Sequence, residues 1–171
     1  MASLEKQATY ESALLAAGST LDLVDALAAG RLQNSFAIVR LPGHHAMESE
    51  FCGYCFVNNV ALAARHALNT HRLSRALIVD WDVHHGQATQ QGQECCTSPS
   101  TATSPAATGP TCGRATTTTW GRQAGRQGHG RRFNFNVPLN TTGMTNHDFL
   151  ATLHQVLLPV AYKFSPELAT V

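Results

Sequence analysis

Two short clusters of histidine and aspartate contain the residue types that proton transfer and metal binding require. One is the pair His44–His45, which follows Pro42 and Gly43 and therefore lies in a turn. The other is the run Asp80–Gly86, in which two aspartates precede two adjacent histidines. Because histidine titrates near neutral pH and ligates metals, these clusters are the candidate site for chemistry in this chain.

Asp82 and His84 have the spacing of metal ligands. They are two residues apart, so on an extended segment their side chains point to the same side. One carboxylate oxygen and one imidazole nitrogen can hold one side of a Zn²⁺ ion. Asp80 points the same way and can orient a neighbouring histidine. A catalytic zinc usually takes three protein ligands, and this segment offers two.

Predicted strands place both clusters at one edge of a sheet. The apolar run Ser35–Arg40 reads as a buried strand that ends just before the first cluster. Ala76–Asp80 reads as a parallel strand covered on both faces and leads into the second cluster. Phe133–Val137 alternates with period two and predicts a third, short strand. Since loops at the carboxyl ends of parallel strands line a common crevice, we expect the two clusters to face one site.

Helices alternate with these strands. Apolar residues recur at helical spacing over Leu21–Ala28 and again over Asn58–Leu68. A further helix is expected after Thr145, which caps it with Asp148 three residues on, and Pro159 is expected to kink it. Alternating strands and helices predict an α/β fold with a mostly parallel sheet.

Composition narrows the class of protein. Hydrophobic residues make up 43% of the 171 residues, and the net charge is +1, which gives no electrostatic case for nucleic acid or an anionic membrane as partner. No apolar run approaches the ~20 residues that span a bilayer, and no secretory signal is evident. The five cysteines are then expected to be reduced thiols in a cytoplasmic and/or nuclear protein.

Each motif also has a plainer interpretation. Two adjacent histidines are usually a surface pair, and Asp80–His84 could be only a turn with helix-capping carboxylates. Cys52 and Cys55 form a Cys-x-x-Cys pattern that would suit a redox or zinc-binding module, although no second such pair follows at a suitable distance. That module remains a separate hypothesis.

Taken together, the motifs resemble the histone deacetylase family, its class II members most closely. The matching segments surround both clusters and cover most of the chain outside residues 91–132: Ile38–Ala46, Gly53–Ala61, Ile78–Gln90 and Phe133–Leu150. The resemblance implies an arginase/deacetylase-like α/β fold, a mostly parallel sheet with flanking helices, incomplete in this chain. It also implies a zinc-dependent hydrolase that removes acetyl groups from lysine side chains of histones, tubulin or other proteins.

The resemblance also implies roles for individual residues. His44 and His45 match the catalytic histidine pair; His45 would be the general base and acid, and His44 would act electrostatically. Around this pair, the implied zinc ligands are Asp82 and His84, the implied supporting residues are Asp80 and Gln87, and the implied wall of the acyl-lysine channel is Gly53 and Tyr54. Backbone groups of Asp80, Asp82 and His84 would contribute to a structural K⁺ site.

Two features depart from the family pattern. The family's third zinc ligand, an aspartate in a Ser-Ala-Gly-Phe-Asp motif, does not occur in residues 1–171, nor does the later oxyanion-binding tyrosine. Residues 91–132, rich in small and polar residues, replace a family strand and its following loop, and we expect them to be disordered. Domain 1–171 is therefore expected to be a partial catalytic domain with impaired activity. The alternative is a non-catalytic deacetylase-like fragment or pseudoenzyme that acts by binding.

A shifted reading frame would explain residues 91–132 without a real insert. Codons that encode Glu94–Ser104 can be read in another frame as Val-Leu-Tyr-Phe-Ser-Ile-His-Arg-Tyr-Glu, which resembles the family's strand. Gly113–Trp120 can be recoded in the same way. The transcript decides between the two explanations, because codons that do not permit the shifted reading would rule it out.

Overall fold

The computed structural model describes residues 2–82, 84–91, 137 and 143–171. Within these residues the regular elements form five helices, one π-helical segment and two strands. In chain order they are α1 (Ala2–Ala28), α2 (Asn59–Thr70), β1 (Ala76–Ile78), α3 (Gln87–Gln91), α4 (Asn146–Thr152), the π segment (Leu153–Leu157), α5 (Leu158–Phe164) and β2 (Leu168–Thr170). None of the helices in the described residues is long and apolar enough to cross a bilayer.

A parallel pair of strands lies at the centre of the core. β1 runs parallel to β2 with Ala76 opposite Leu168, and the backbone N–H of Val79 extends the pairing to the carbonyl of Thr170 at 2.8 Å. Every residue of β1 is buried. The buried parallel strand predicted from the apolar run is therefore confirmed.

Helices cover both faces of β1, as expected for an apolar strand. Ala76 and Ile78 pack against Ala64 of α2 on one face. Leu77 and Val79 pack against Leu157 of the C-terminal helical region on the other. A strand enclosed in this way agrees with the predicted α/β class.

α2 begins where the sequence predicts. The side chain of Asn58 caps it by accepting a hydrogen bond from the backbone N–H of Ala61 at 3.1 Å. On its other side, Ala63 and Ala67 form a small-residue surface against Val24 of α1, so the two helices pack closely. α1 is much longer than its predicted segment and ends just before Gly30, whose φ of +69° suits a helix terminus.

The C-terminal helical region is capped as predicted. The Asp148 carboxylate accepts hydrogen bonds from the backbone N–H and the hydroxyl of Thr145, at 2.7 and 2.8 Å. The irregularity expected at Pro159 takes the form of the π segment Leu153–Leu157, directly before α5. A proline has no N–H to donate back into the preceding turn, which favours such a change in helix type.

The predicted strand at Ser35–Arg40 is wrong. These residues form no strand in the described part of the chain, and Phe36 and Ile38 are 84% and 92% exposed. A strand requires a neighbour to accept and donate its backbone hydrogen bonds, and within the described residues the sheet has two strands, β1 and β2. The predicted strand at Phe133–Val137 and the segment 91–132 lie outside the described residues, apart from Gln91 and Val137.

Candidate active site

The turn that carries His44 and His45 is seated on the start of α2. A Cβ atom at Gly43 would lie 2.8 Å from the backbone nitrogen of Asn59 and 2.9 Å from the carbonyl oxygen of Val57, so only glycine allows this approach. The side-chain amide of Asn59 donates to the carbonyl of Leu41 at 3.3 Å. These contacts fix the histidine pair relative to the helix and, through it, to β1.

The second cluster is held by its own carboxylates. The backbone N–H of Asp82 donates to Asp80 Oδ1 at 3.0 Å, and the backbone N–H of His84 donates to Asp82 Oδ1 at 2.7 Å. Each aspartate therefore fixes the backbone two residues ahead of it. The same Asp82 Oδ1 lies 2.9 Å from His84 Nδ1, so the oxygen and nitrogen atoms that could bind a metal lie close together.

His44 forms an ion pair with Asp80 that joins the two clusters. His44 Nδ1 and Asp80 Oδ2 are 2.8 Å apart, and both side chains are largely buried. Burial disfavours the imidazolium, but the hydrogen bond to Asp80 and the negative charges of Asp80 and Asp82 outweigh it and raise the pKa of His44. His44 is therefore disposed to carry a positive charge.

His45, in contrast to His44, is held in its neutral form. Its Nδ1 lies 2.7 Å from the amide oxygen of Gln87; an amide oxygen only accepts, so Nδ1 carries the proton and Nε2 is the basic nitrogen. Burial lowers the pKa of His45, assisted by the charges of His44 and His84, and the hydrogen bond to Gln87 only partly offsets this. At neutral pH His45 is thus a neutral imidazole.

The rings of three histidines come together. The centroids of His44 and His45 are 4.0 Å apart, and those of His45 and His84 are 6.1 Å apart. Two clusters some forty residues apart in sequence therefore face one site, although the predicted strand before the first of them is absent. The catalytic roles assigned to these residues stay predictions.

Two glycines pack directly against this site. A Cβ atom at Gly53 (φ +52°) would lie 2.3 Å from Cδ2 of His45, and one at Gly86 would lie 2.4 Å from Asp80 Oδ2. Tyr54, beside Gly53, is exposed. The role of Gly86 escaped the sequence argument; its place immediately after His84 and His85 is the signal that could have revealed it.

The donors at Asp82 and His84 fit a zinc ion in type and in their approach to each other. Burial tends to raise the pKa of Asp82, but hydrogen bonds from the His84 backbone and ring prevail and lower it, which keeps the carboxylate ionised. The two side chains are 48% and 66% exposed, so an ion could reach them. Among the described residues no third histidine, cysteine or carboxylate completes a metal-binding group with this pair.

The two cysteines of the Cys-x-x-Cys pattern differ in state. Cys52 is disulfide-bonded, whereas Cys55 is a free, buried thiol whose Sγ donates to the carbonyl of Gly53 at 3.4 Å. Burial raises the pKa of Cys55, which disfavours the thiolate that metal binding and redox exchange require. The expectation of reduced thiols is therefore confirmed for Cys55 and wrong for Cys52, and the pair does not act as a dithiol.

The His44–Asp80 pair predicts a pH-dependent contribution to stability. Because folding raises the pKa of His44, the pair stabilises the fold fully below the unfolded pKa of about 6.5 and loses this effect as pH rises through the folded value. The difference in free energy of unfolding between the parent chain and His44→Gln should therefore shrink from pH 5.5 to 8.5 in urea titrations. A difference that grows with pH would contradict the ion pair. Asp148→Asn is the control, because this carboxylate bonds to Thr145 and not to His44.

Comparison with known proteins agrees with this geometry. Residues 3–171 match the family model of the histone deacetylase domain, and the chain belongs to this family. The predicted arginase/deacetylase fold class is thereby confirmed.

Individual relatives extend the comparison. The chain is 44% identical to polyamine deacetylase HDAC10 of Danio rerio, over 96% of the chain and 24% of the relative. It is 35% identical to histone deacetylase HDA1 of Candida albicans, over 95% of the chain and 20% of the relative. A histone deacetylase-like amidohydrolase of Pseudomonas aeruginosa is 31% identical, over 95% of the chain and 41% of the relative. The chain thus spans between a fifth and two fifths of the length of these relatives.

Proposed function

We propose that this chain carries the proton-handling and part of the metal-binding apparatus of a zinc-dependent deacetylase that removes acetyl groups from lysine side chains of proteins. The observation that supports this proposal is the difference in protonation between two adjacent histidines. His45 is neutral and oriented by Gln87, while His44 is paired with Asp80. Amide hydrolysis needs a neutral base that takes a proton from water and delivers it to the amine, and a fixed positive charge beside that base assists the reaction.

In the reaction, His45 Nε2 accepts a proton from the attacking water and then donates it to the departing lysine amine. His44, kept positive by Asp80, stabilises the negative charge that develops on the acyl oxygen. Zn²⁺ bound by Asp82 and His84 would polarise the acetamide carbonyl and lower the pKa of water. Gly53 and Tyr54 form the wall along which the acyl-lysine chain enters, and the K⁺ site at Asp80, Asp82 and His84 stays a prediction.

Within this proposal, the choice of substrate concerns the amine that carries the acetyl group. HDAC10 of Danio rerio is named a polyamine deacetylase and HDA1 of Candida albicans a histone deacetylase. An acetylated polyamine and an acetylated lysine present the same acetamide on a flexible alkyl chain. Acetyl-lysine on histones or tubulin is our first choice of substrate, and acetylpolyamine is the competing one. A cytoplasmic or nuclear location is proposed for either substrate.

The test is release of acetate from both substrates by the purified 171-residue chain with added Zn²⁺. We expect slow release, far below the ~10 s⁻¹ typical of enzymes, because the described residues supply two metal donors rather than three. A chelator or Asp82→Asn should abolish it, whereas Asp22→Asn, an exposed carboxylate of α1, should not. Release that survives chelation and Asp82→Asn would contradict zinc-dependent hydrolysis, and rapid turnover would contradict impairment.

A non-catalytic role is the second candidate. The exposed two-donor arrangement of Asp82 and His84 favours it, because such a pair holds zinc more weakly than three ligands would. A folded chain that binds an acetyl-lysine peptide in a calorimetric titration without releasing acetate would identify a binding module.

A further inference from the structure

Away from the active site, a second group of metal-capable side chains lies where α1 meets α2. Asp25 is on the last turns of α1, His66 is on α2, and His71 directly follows α2. The Nε2 atoms of both histidines lie 2.6 Å from the same oxygen, Oδ1 of Asp25. Among the described residues, these three form the group of histidine, cysteine or carboxylate side chains whose ligand atoms all lie within 4.8 Å of one another.

The helices hold this group in place. Val24, next to Asp25, is buried against Ala63 and Ala67 of α2, so the packed helix pair sets the separation of the ligands. The hydroxyl of Thr70 lies 3.1 Å from Nδ1 of His66, on the side of the ring away from Asp25. Metal-binding histidines usually have such a partner on their second nitrogen, because it fixes the ring and its tautomer.

The site is also accessible and correctly charged. The side chains of His66, His71 and Asp25 are 22%, 25% and 44% exposed, so an ion can enter from solvent. Hydrogen bonds from His71 and His66 lower the pKa of Asp25, which keeps its carboxylate ionised at neutral pH. Two imidazoles and one carboxylate suit Zn²⁺ and its neighbours in the transition series, whereas Mg²⁺ and Ca²⁺ prefer all-oxygen ligands.

We infer that Asp25, His66 and His71 form a structural Zn²⁺ site that fastens α1 to α2, separate from the catalytic cluster. In place of the two N–H groups that now point at Asp25 Oδ1, the ion would be bound by both Nε2 atoms and the carboxylate, with water at the fourth position. The site is near the C-terminal end of α2, whereas the histidine pair His44–His45 is seated at its N-terminal end. Its role is therefore stability rather than catalysis.

The test is the melting temperature of the metal-free 171-residue chain on addition of ZnCl₂, in an Asp82→Asn/His84→Asn background that removes the other pair of donors. With zinc at about a hundred times its dissociation constant, the melting temperature should rise by about 5–10 °C. Asp25→Asn or His71→Asn should abolish the rise, and the exposed His154→Asn should retain it. MgCl₂ should have no effect. A zinc response that persists in folded Asp25→Asn, or its absence in the background chain, would overturn the inference.

A measurement without substitutions in the cluster guards against variants that fail to fold. Zinc should protect His66 and His71, but not His154, from diethylpyrocarbonate, as mapped by mass spectrometry. Equal modification with and without zinc would mean that the three side chains are only a hydrogen-bonded clamp between helices. Because the readouts are stability and protection, failure here leaves the deacetylase proposal intact, and failure of acetate release leaves this one intact.

Discussion

Acetate release by the zinc-loaded chain is expected to fall by about 10²- to 10⁴-fold when His45 is replaced by alanine. His45 is the neutral member of the histidine pair. Its Nδ1–H donates to the amide oxygen of Gln87, with Nδ1 and Oε1 2.7 Å apart, and burial lowers its pKa. The variant would lose the nitrogen that we propose takes up the proton from water and returns it to the amine. Long incubations at high protein concentration give the sensitivity needed to measure such a decrease.

Two further variants distinguish loss of the general base from loss of structure. His147→Ala removes an exposed histidine from α4 and should leave the rate unchanged. Gln87→Leu retains His45 but removes its orienting partner, and should lower the rate by about 10- to 100-fold. If His45→Ala released acetate as fast as the parent chain, His45 would not be the general base, and the assignment of roles within the pair would have to be reversed or abandoned.

Local chemistry of the site could be predicted from the sequence, because it depends on short spacings. Asp82 and His84 meet because they are two residues apart, and each aspartate of the cluster binds a backbone N–H two residues ahead. The Thr145–Asp148 cap, which the sequence predicts, follows similarly from neighbours. Such contacts need no knowledge of the fold.

Contacts between distant segments could not be predicted in this way. The run Ser35–Arg40 has the composition of a strand, but a strand requires a partner, and none pairs with it in the described part of the chain. The difference in charge between His44 and His45 depends on Asp80 and Gln87, far along the chain. A resemblance to a family supplied those pairings where periodicity could not.

The cluster of Asp25, His66 and His71 shows the same limit more strongly. Asp25 precedes His66 by 41 residues, and the group exists only because α1 packs on α2. No spacing rule covers ligands that two packed helices bring together. Sequence reasoning found the site whose ligands are close in the chain and missed this second one.

Gly86→Ala is expected to lower the free energy of unfolding by about 1–3 kcal/mol, because it forces apart a partly buried ion pair. The new Cβ would lie 2.4 Å from Asp80 Oδ2 and 3.2 Å from His44 Nδ1, between the two partners. Asp80 cannot turn away without cost, since its other oxygen accepts from the backbone N–H of Asp82. The displaced carboxylate would leave His44 without the partner that raises its pKa.

Urea titrations at several pH values measure both effects of Gly86→Ala. The variant should be destabilised most below pH ~6.5, where the parent chain benefits from a protonated His44, and less as pH rises. Gly18→Ala is the matched control: its Cβ would meet nothing within 4 Å, so it should be neutral or stabilise α1 by about 0.5–1 kcal/mol. Equal stability of Gly86→Ala and the parent chain at pH 5.5 would show that the His44–Asp80 contact does not hold the two clusters together.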